Sequence, residues 1–566
     1  MLRALKPNGL NVTKPNFIIF MPDQLRYDSV GFTGNTMVKT PNIDRFASMG
    51  TQFTNLFAQA SVCSQSRCSM FTSQYPHVSG HRSLENLLKP DEPNLFRTLR
   101  EIGGYHIAYL SPRGDLYAAN ATEESVDEYG FLSEKNATLP AFKDGYNITG
   151  DEPLSASGIP TVTNPDPDHN SVWNRLFYGG LRNETEAFDY DEKTTRGALT
   201  WLDCPPQHKP WVLFLPLIFP HPPFEVEQPW FSMYNRSEIP LPASIKDRTG
   251  HEATYAEQIR SQYDTYRATD EIWQEVKAVY YGMISRVDDQ FGRIMNKTIE
   301  TGLWNNTVTF FFTDHGEFLG DYGLVEKWPS AVGENVVHEP MIVGGGGLPE
   351  GLVFEEMAEM VDLVPTMLQL GSTNENYAQY GISLVDAIHA AARGENVTHK
   401  KYAFTEGGFL TSEEPLLEQG PWPYDIKGAL QHNKTELVGK AVSIRSKEYT
   451  YIYRMYEADE LYRRNDTQES HNLAAEPAFA DVRLEMRDTI MRWMVETADT
   501  LPWILDERGP KVNLPSPKEQ YEERKTECAN CQSAQTCITE VFTPSGTFIT
   551  HTPFATSLEY EDQKEL

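Results

Sequence analysis

Long apolar runs are missing from this chain. The longest, WVLFLPLIF from Trp211 to Phe219, falls far short of the ~20 apolar residues that a membrane-crossing helix needs. Cysteine is scarce as well. Six in 566 residues exclude a fold held by disulfides. Three of them, Cys528, Cys531 and Cys537, crowd into CANCQSAQTC without a nearby histidine, which is too few ligands for a structural zinc site and reads as disulfide use in a tail. Cys204 reads as a buried apolar residue. Positive charge is in deficit too: 49 Lys and Arg against 80 Asp and Glu leave a formal charge of −31. The resulting field would repel nucleic acid and anionic membranes, so neither is expected as a partner. An anionic substrate would need a local cationic pocket. The opening residues, MLRALKPNGLNVTKPN, hold no apolar stretch of the kind a secretory leader uses.

What is present is an ordinary globular composition, 40% hydrophobic and 23% charged, at a length that can bury a large core. Strand-like and helix-like patterns alternate through roughly the first 400 residues. Four short apolar runs rich in β-formers stand out: NFIIFM (Asn16 to Met21), YHIAYL (Tyr105 to Leu110), WVLFLPLIF and TVTFFF (Thr307 to Phe312). Each suits a strand buried on both faces, and polar residues follow each at once. The expectation is an α/β domain over residues 1–401, a large, mostly parallel sheet flanked by helices. Its ligands would bind beyond the carboxyl ends of the strands. Long insertions such as DGYNITGDEPLSASGIPTVTNPDPDHN read as surface loops. From Tyr402 the texture changes to strands in KAVSIRSKEYTYIYRM and a helix from about Ala478 to Thr500. That is the pattern of a smaller C-terminal α+β domain over 402–510, followed by an extended tail over 511–566.

Asn-x-Ser/Thr triplets are abundant. Eleven occur, at Asn11, Asn120, Asn136, Asn147, Asn183, Asn235, Asn296, Asn305, Asn396, Asn433 and Asn465, where random placement would give about three. They point to a glycoprotein of the secretory pathway or the extracellular space. The opening residues point instead to the cytoplasm, and the terminal QKEL is a degenerate form of a retention signal.

Candidate site residues cluster after the strands. Asp23 and Gln24 follow the first run and Asp314 and His315 the fourth. Their oxygen donors suit a hard divalent cation, Ca²⁺ before Mg²⁺ or Mn²⁺. In VCSQSRCSMFTSQYPHVSGHR, Cys63 and Arg67 stand four apart, placing a modifiable side chain beside a fixed positive charge. A helix is expected to follow, carrying His77 and His81 as packed neighbours.

The order of DQLRYD, CSQSR, FPHPPF, TDHGEFLGDYGLVEK and the late DELYRRNDTQESHNLA resembles the sulfatase branch of the alkaline-phosphatase-like superfamily, over nearly all of the chain to about residue 500. Cys63 to Arg67 is similar to the sulfatase signature C-x-P/A-x-R, with Gln65 where Pro or Ala usually stands. The resemblance implies that a formylglycine-generating enzyme converts Cys63 to formylglycine, whose hydrated aldehyde attacks sulfur while Arg67 anchors it. It implies metal ligation by Asp23, Gln24, Asp314 and His315 together with residue 63. The Asp-Gln and Asp-His pairs are more like the choline-sulfatase and phosphonate monoester hydrolase relatives. His221 matches the histidine at the sulfate or leaving oxygen, and Lys327 a sulfate-binding lysine. After Tyr105 to Leu110, where sulfatases commonly read G-K-W-H-L-G, this chain reads YLSPRGDLYAAN, with Arg113 in the place of the lysine and Asp115 in that of the histidine. The implied function is hydrolysis of a small-molecule or saccharide sulfate ester. The alternatives are a phosphodiester or phosphonate monoester hydrolase of the same superfamily and a non-catalytic sulfatase-like glycoprotein. An oligomer is compatible with the extended tail.

Overall fold

The structure, a computed structural model, describes residues 14–111, 114–132, 170–183, 189–498, 515–533, 540–543 and 546–549. Contacts divide the chain into two compact units, Met1–Trp503 and Ile504–Leu566.

The first unit is built on an eight-stranded sheet. In chain order its strands are β1 (Asn16–Met21), β2 (Gly50–Phe53), β3 (His106–Tyr109), β4 (Glu128–Tyr129), β5 (Trp211–Pro216), β6 (Thr307–Phe312), β7 (Met341–Gly345) and β8 (Leu352–Phe354), and across the sheet they run β8-β2-β7-β6-β1-β5-β3-β4. β1 lies at the centre, parallel to both β5 and β6. Only β7 runs against its neighbours, β6 and β2. All six residues of β1, β5 and β6 are buried, as continuous apolar strands covered on both faces must be. Each fully buried Phe or Ile contributes roughly 1.5–3 kcal/mol of apolar transfer. Helices include α1 (Cys63–Thr72), α2 (Tyr190–Trp201) and α3 (Asp270–Glu300). Phe20 packs edge-on against Phe291 of α3 at 5.1 Å.

A second, antiparallel sheet follows within the same unit: β9 (Ala403–Gly407), β10 (Ala441–Arg445), β11 (Tyr449–Arg454) and β12 (Glu460–Arg463), in that spatial order. Between its first two strands lies α4 (Tyr424–Asn433), and α5 (Ala480–Thr497) packs on the sheet. Trp493 of α5 stacks on Phe404 of β9, rings parallel at 4.5 Å.

Several expectations shift in detail. The run WVLFLPLIF stays a strand only to Pro216, because Phe219 and Pro220 turn the chain toward His221. Cys204 is exposed rather than buried; it follows α2 in a polar turn next to Pro205 and Pro206. His77 and His81 lie beyond α1, which ends at Thr72. His77 bonds Glu406 of β9 at 2.5 Å and Thr497 of α5 at 2.7 Å, so it anchors the segment after α1 to the second sheet and its helix. Cys537, Arg113 and most of the insertion after Phe142 lie outside the described residues. Among those residues no helix is long and apolar enough to cross a membrane.

Candidate active site

Parallel strands end together, so the turns after β1 and β6 place Asp23, Gln24, Asp314 and His315 side by side. Into the same point comes Cys63, the first residue of α1. Donor atoms of Asp23, Cys63, Asp314 and His315 all lie within 4.8 Å of one another, and all four residues are buried. The Cys63 Sγ is 3.0 Å from His315 Nε2 and 3.8 Å from Asp23 Oδ1.

Arg67 stands one helical turn further along α1, 1% exposed. Its Nε donates to Asp314 Oδ2 at 2.8 Å and its Nη2 to Asp23 Oδ2. Asp115 Oδ2 is 4.0 Å from its Nη1. The guanidinium thus takes one oxygen of Asp23 and one of Asp314; the other Asp23 oxygen faces Cys63, and the other Asp314 oxygen accepts the backbone N–H of His315 at 3.1 Å.

The donor set suits a divalent cation. His315 Nδ1 donates to the Gly316 carbonyl at 2.9 Å, which leaves Nε2 with its lone pair toward the cluster, the tautomer a ligand needs. Burial holds the His315 imidazole below its ordinary range, so it stays neutral. Gln24 is placed differently from the other four. Its amide oxygen accepts from Lys327 Nζ at 2.7 Å, while its amide nitrogen donates to Glu317. An amide carbonyl has two lone pairs, so the bond to Lys327 leaves one for a cation. Its backbone N–H reaches Asp314 Oδ1 at 3.2 Å, and its φ of 64° puts it in the left-handed region that few non-glycine residues adopt.

On the other side stand Lys327 and His221, both buried. Lys327 Nζ lies 3.1 Å from His221 Nε2 and 2.5 Å from Glu326 Oε1. His221 Nδ1 donates to the Pro222 carbonyl at 2.6 Å. The turn that delivers His221 is fixed from α2, whose Asp191 accepts the backbone N–H groups of Ile218 at 2.8 Å and Phe219 at 2.9 Å.

Three more residues belong to this cluster, and none was singled out as a site residue from the sequence. Glu326 bonds both Lys327 and Lys427, the latter at 2.8 Å from α4. Burial would raise its carboxyl, but the two ammonium groups hold it well below the usual carboxylate range. Tyr424, also on α4, stacks on His221 at 6.3 Å and packs at a tilt against Phe177 at 4.9 Å. Its hydroxyl is buried and has no hydrogen-bond partner among the described residues. Adjacency of Glu326 to Lys327 was the one visible signal. PWPYDIKGAL carries none.

Behind Asp314 lies Glu339, 0% exposed, with no hydrogen-bond partner for either side-chain oxygen among the described residues. Burial, with the Asp314 carboxylate, pushes its carboxyl well above the ordinary range, so it is held neutral. A buried unpartnered acid costs about 1–3 kcal/mol. Replacing it with a non-polar side chain of similar length, Glu339→Met, is therefore expected to raise the midpoint of chemical unfolding; a lower midpoint would show that the carboxyl has a structural partner.

Comparison with known proteins places this geometry. The sulfatase family model matches residues 15–373. The "Multifunctional alkaline phosphatase superfamily protein PehA" of Trinickia caryophylli is 24% identical over 86% of this chain and 96% of its own length. An arylsulfatase of Clostridium perfringens is 25% identical over 70% of this chain and 82% of its own. Among solved structures, the phosphonate monoester hydrolase of Agrobacterium radiobacter superposes with a TM-score of 0.65 at 23% identity, covering 88% of this chain and 100% of that one.

Proposed function

Since the chain belongs to the sulfatase family, a family of hydrolases acting on sulfate esters, we propose that it releases sulfate from an organic ester at a formylglycine made from Cys63, beside a divalent cation. The observation that carries this reading is the convergence of Asp23, Cys63, Asp314 and His315 on one point, with Arg67 on one flank and the Lys327–His221 pair on the other. The thiol itself is badly placed to react. Burial and the Asp23 carboxylate push it well above its ordinary range, so Cys63 would be a protonated and weak nucleophile.

Converted to formylglycine, residue 63 supplies a hydrated aldehyde, one hydroxyl to attack sulfur and a second to expel sulfate. Asp23, Asp314, His315 and the free lone pair of Gln24 are the chain's ligands for the cation, with Ca²⁺ the first candidate, which supplies charge for the sulfuryl oxygens. Arg67 holds the Asp314 and Asp23 carboxylates in place through its Nε and Nη2 bonds. Lys327, whose ammonium is held charged despite burial by the Glu326 and Asp23 carboxylates, binds a sulfate oxygen. His221, whose Nε2 lies 3.1 Å from Lys327 Nζ and 4.0 Å from Glu326, serves the leaving oxygen. Arg113, outside the described residues, is the remaining candidate for sulfate contact.

Tyr424 completes the wall above His221. Burial, with Glu326 nearby, pushes its phenol well above the ordinary range, so it is a neutral donor with a hydroxyl to spare. It is assigned to the substrate. Tyr424→Phe is expected to lower kcat/KM about tenfold, the effect of one lost hydrogen bond to a charged group, with the unfolding midpoint unchanged. Equal kcat/KM in the two proteins would remove Tyr424 from the site.

Hydrolysis of phosphonate monoesters is the second reading, favoured by the Asp-Gln and Asp-His pairs at positions 23–24 and 314–315. Both readings are tested by assaying aryl sulfates, aryl phosphonate monoesters and aryl phosphodiesters side by side on protein from its own host. The sulfate ester should show the highest kcat/KM; a higher value for the phosphonate would reverse the order.

A further inference from the structure

Eleven of the chain's 28 asparagines open an Asn-x-Ser/Thr triplet. Spacing alone is a weak sign, since an unused triplet can lie anywhere in a fold. A used one cannot be buried, because a bulky, hydrated oligosaccharide must leave the surface at that side chain. Burial is therefore a test that the sequence could not apply.

Eight of the eleven lie among the described residues: Asn120, Asn183, Asn235, Asn296, Asn305, Asn396, Asn433 and Asn465. All eight are exposed. Asparagine favours surfaces in any protein, so the proper reference is the chain's other asparagines. The burial of thirteen of those is described, and only four of the thirteen, Asn170, Asn306, Asn374 and Asn376, are exposed. Distributing the twelve exposed positions at random over the 21 would place all eight triplets among them about once in 400 draws. The others include hydrogen-bond partners inside the fold: Asn16 accepts from Trp211 N at 3.1 Å, Asn94 caps a helix through Arg97 N at 3.1 Å, and Asn472 accepts from Leu461 N at 3.1 Å. Asn235 and Asn296 do bond Ser237, Glu238 and Arg45, but at exposed positions; the buried asparagines lack the triplet.

The positions also suit a coat that spares the site. Asn296 near the end of α3 and Asn305 just before β6 lie at the amino end of the sheet, opposite the carboxyl ends that hold Asp23 and Asp314. Asn396 falls in the exposed turn between the large sheet's last helix and β9, and Asn465 in the turn after β12.

We infer that these eight asparagines carry N-linked oligosaccharides, and hence that the chain passes through a secretory lumen where such transfer takes place. In that reaction a bond forms between the asparagine Nδ2 and the anomeric carbon of the first sugar. The bond from that carbon to the pyrophosphate of a lipid-linked donor breaks, the pyrophosphate leaves, and Nδ2 gives up one proton to the transferase. The inference is independent of the enzymatic reading above, since it uses none of the site residues.

The test is peptide mapping of the full chain purified from its own cells. The protein is treated in heavy-oxygen water with two peptide N-glycosidases, one tolerant of core fucose and one not, so that each occupied asparagine becomes a labelled aspartate. Label at most of the eight, with Asn170, Asn306, Asn374 and Asn376 unlabelled, is the expected result. Label at fewer than half of them would overturn the inference, as would equal label at those four, the signature of spontaneous deamidation. A parallel digestion without the glycosidases fixes that background.

Discussion

Cys63→Ser is expected to turn a multiple-turnover enzyme into one that fires once. The introduced hydroxyl would sit where the four metal-facing donors, Arg67 and Lys327 all converge, and it can attack the ester to release the alcohol. It has no second hydroxyl with which to expel the sulfate. The variant should therefore release no more than one alcohol per site and then stop, with steady turnover down by roughly 10⁴-fold or more, the scale of losing a nucleophile. Mass spectrometry should find the sulfate on the serine introduced at position 63. Cys63→Ala should show neither burst nor turnover. Both variants should unfold at the parent's midpoint or above it, because the thiol's hydrogen-bond partners among the described residues are the side chains of Asp23 and His315 and it carries a burial cost beside Asp23. Continued turnover by Cys63→Ser at the parent's rate would mean that residue 63 does not form the covalent ester, and the proposed chemistry would fall. The companion measurement, the mass of the Cys63 peptide in active protein, shows whether Gln65 at the middle of the signature is accepted by the modifying enzyme. In the folded chain Gln65 is buried with its amide nitrogen unpartnered among the described residues.

The parts of this site that could be read from sequence share a physical cause. Asp23, Gln24, Asp314 and His315 each follow an apolar strand directly, so strand periodicity locates them and the parallel sheet brings them together. The strands Asn16–Met21 and Thr307–Phe312 fall where their apolar runs do, since a strand buried on both faces writes its whole length in the composition. Arg67 is fixed by its spacing from Cys63 on one helix. Tyr424 and Lys427 have no such signature. They lie in a connection between two strands of the second sheet, and they meet the site through contacts distant in sequence. Their role depends on contacts across about 100 residues of chain, such as Lys427 to Glu326, which no local pattern records. Cys204 misled for the opposite reason. Cysteine is among the most buried residue types, but the turn holding this one is set by its polar and proline neighbours.

Removing Arg67 should have the largest effect on stability of any change at the site. Asp23 and Asp314 are both fully buried, and Arg67 is the cation that bonds each of them directly. Taking one partner from a buried ion cluster leaves charges that neither water nor a counter-ion reaches, at a cost of about 3–5 kcal/mol. Arg67→Ala without added metal should therefore unfold at much lower denaturant than the parent. Arg67→Lys, which keeps the charge but not the two-armed fork, should fall between them. The cation predicts its own rescue. A divalent ion bound by Asp23, Asp314 and His315 supplies positive charge at the same carboxylates and binds only the folded chain, so saturating Ca²⁺ or Mn²⁺ should restore part of the lost midpoint. The restoration should be larger for Arg67→Ala than for the parent, because the uncompensated charge is larger. This readout needs neither substrate nor formylglycine, which separates the metal site from the chemistry at residue 63. An Arg67→Ala protein as stable as the parent in chelator would show that the two carboxylates are not both ionised in the folded state, and the charge balance proposed for the site would have to be redrawn around the neutral form.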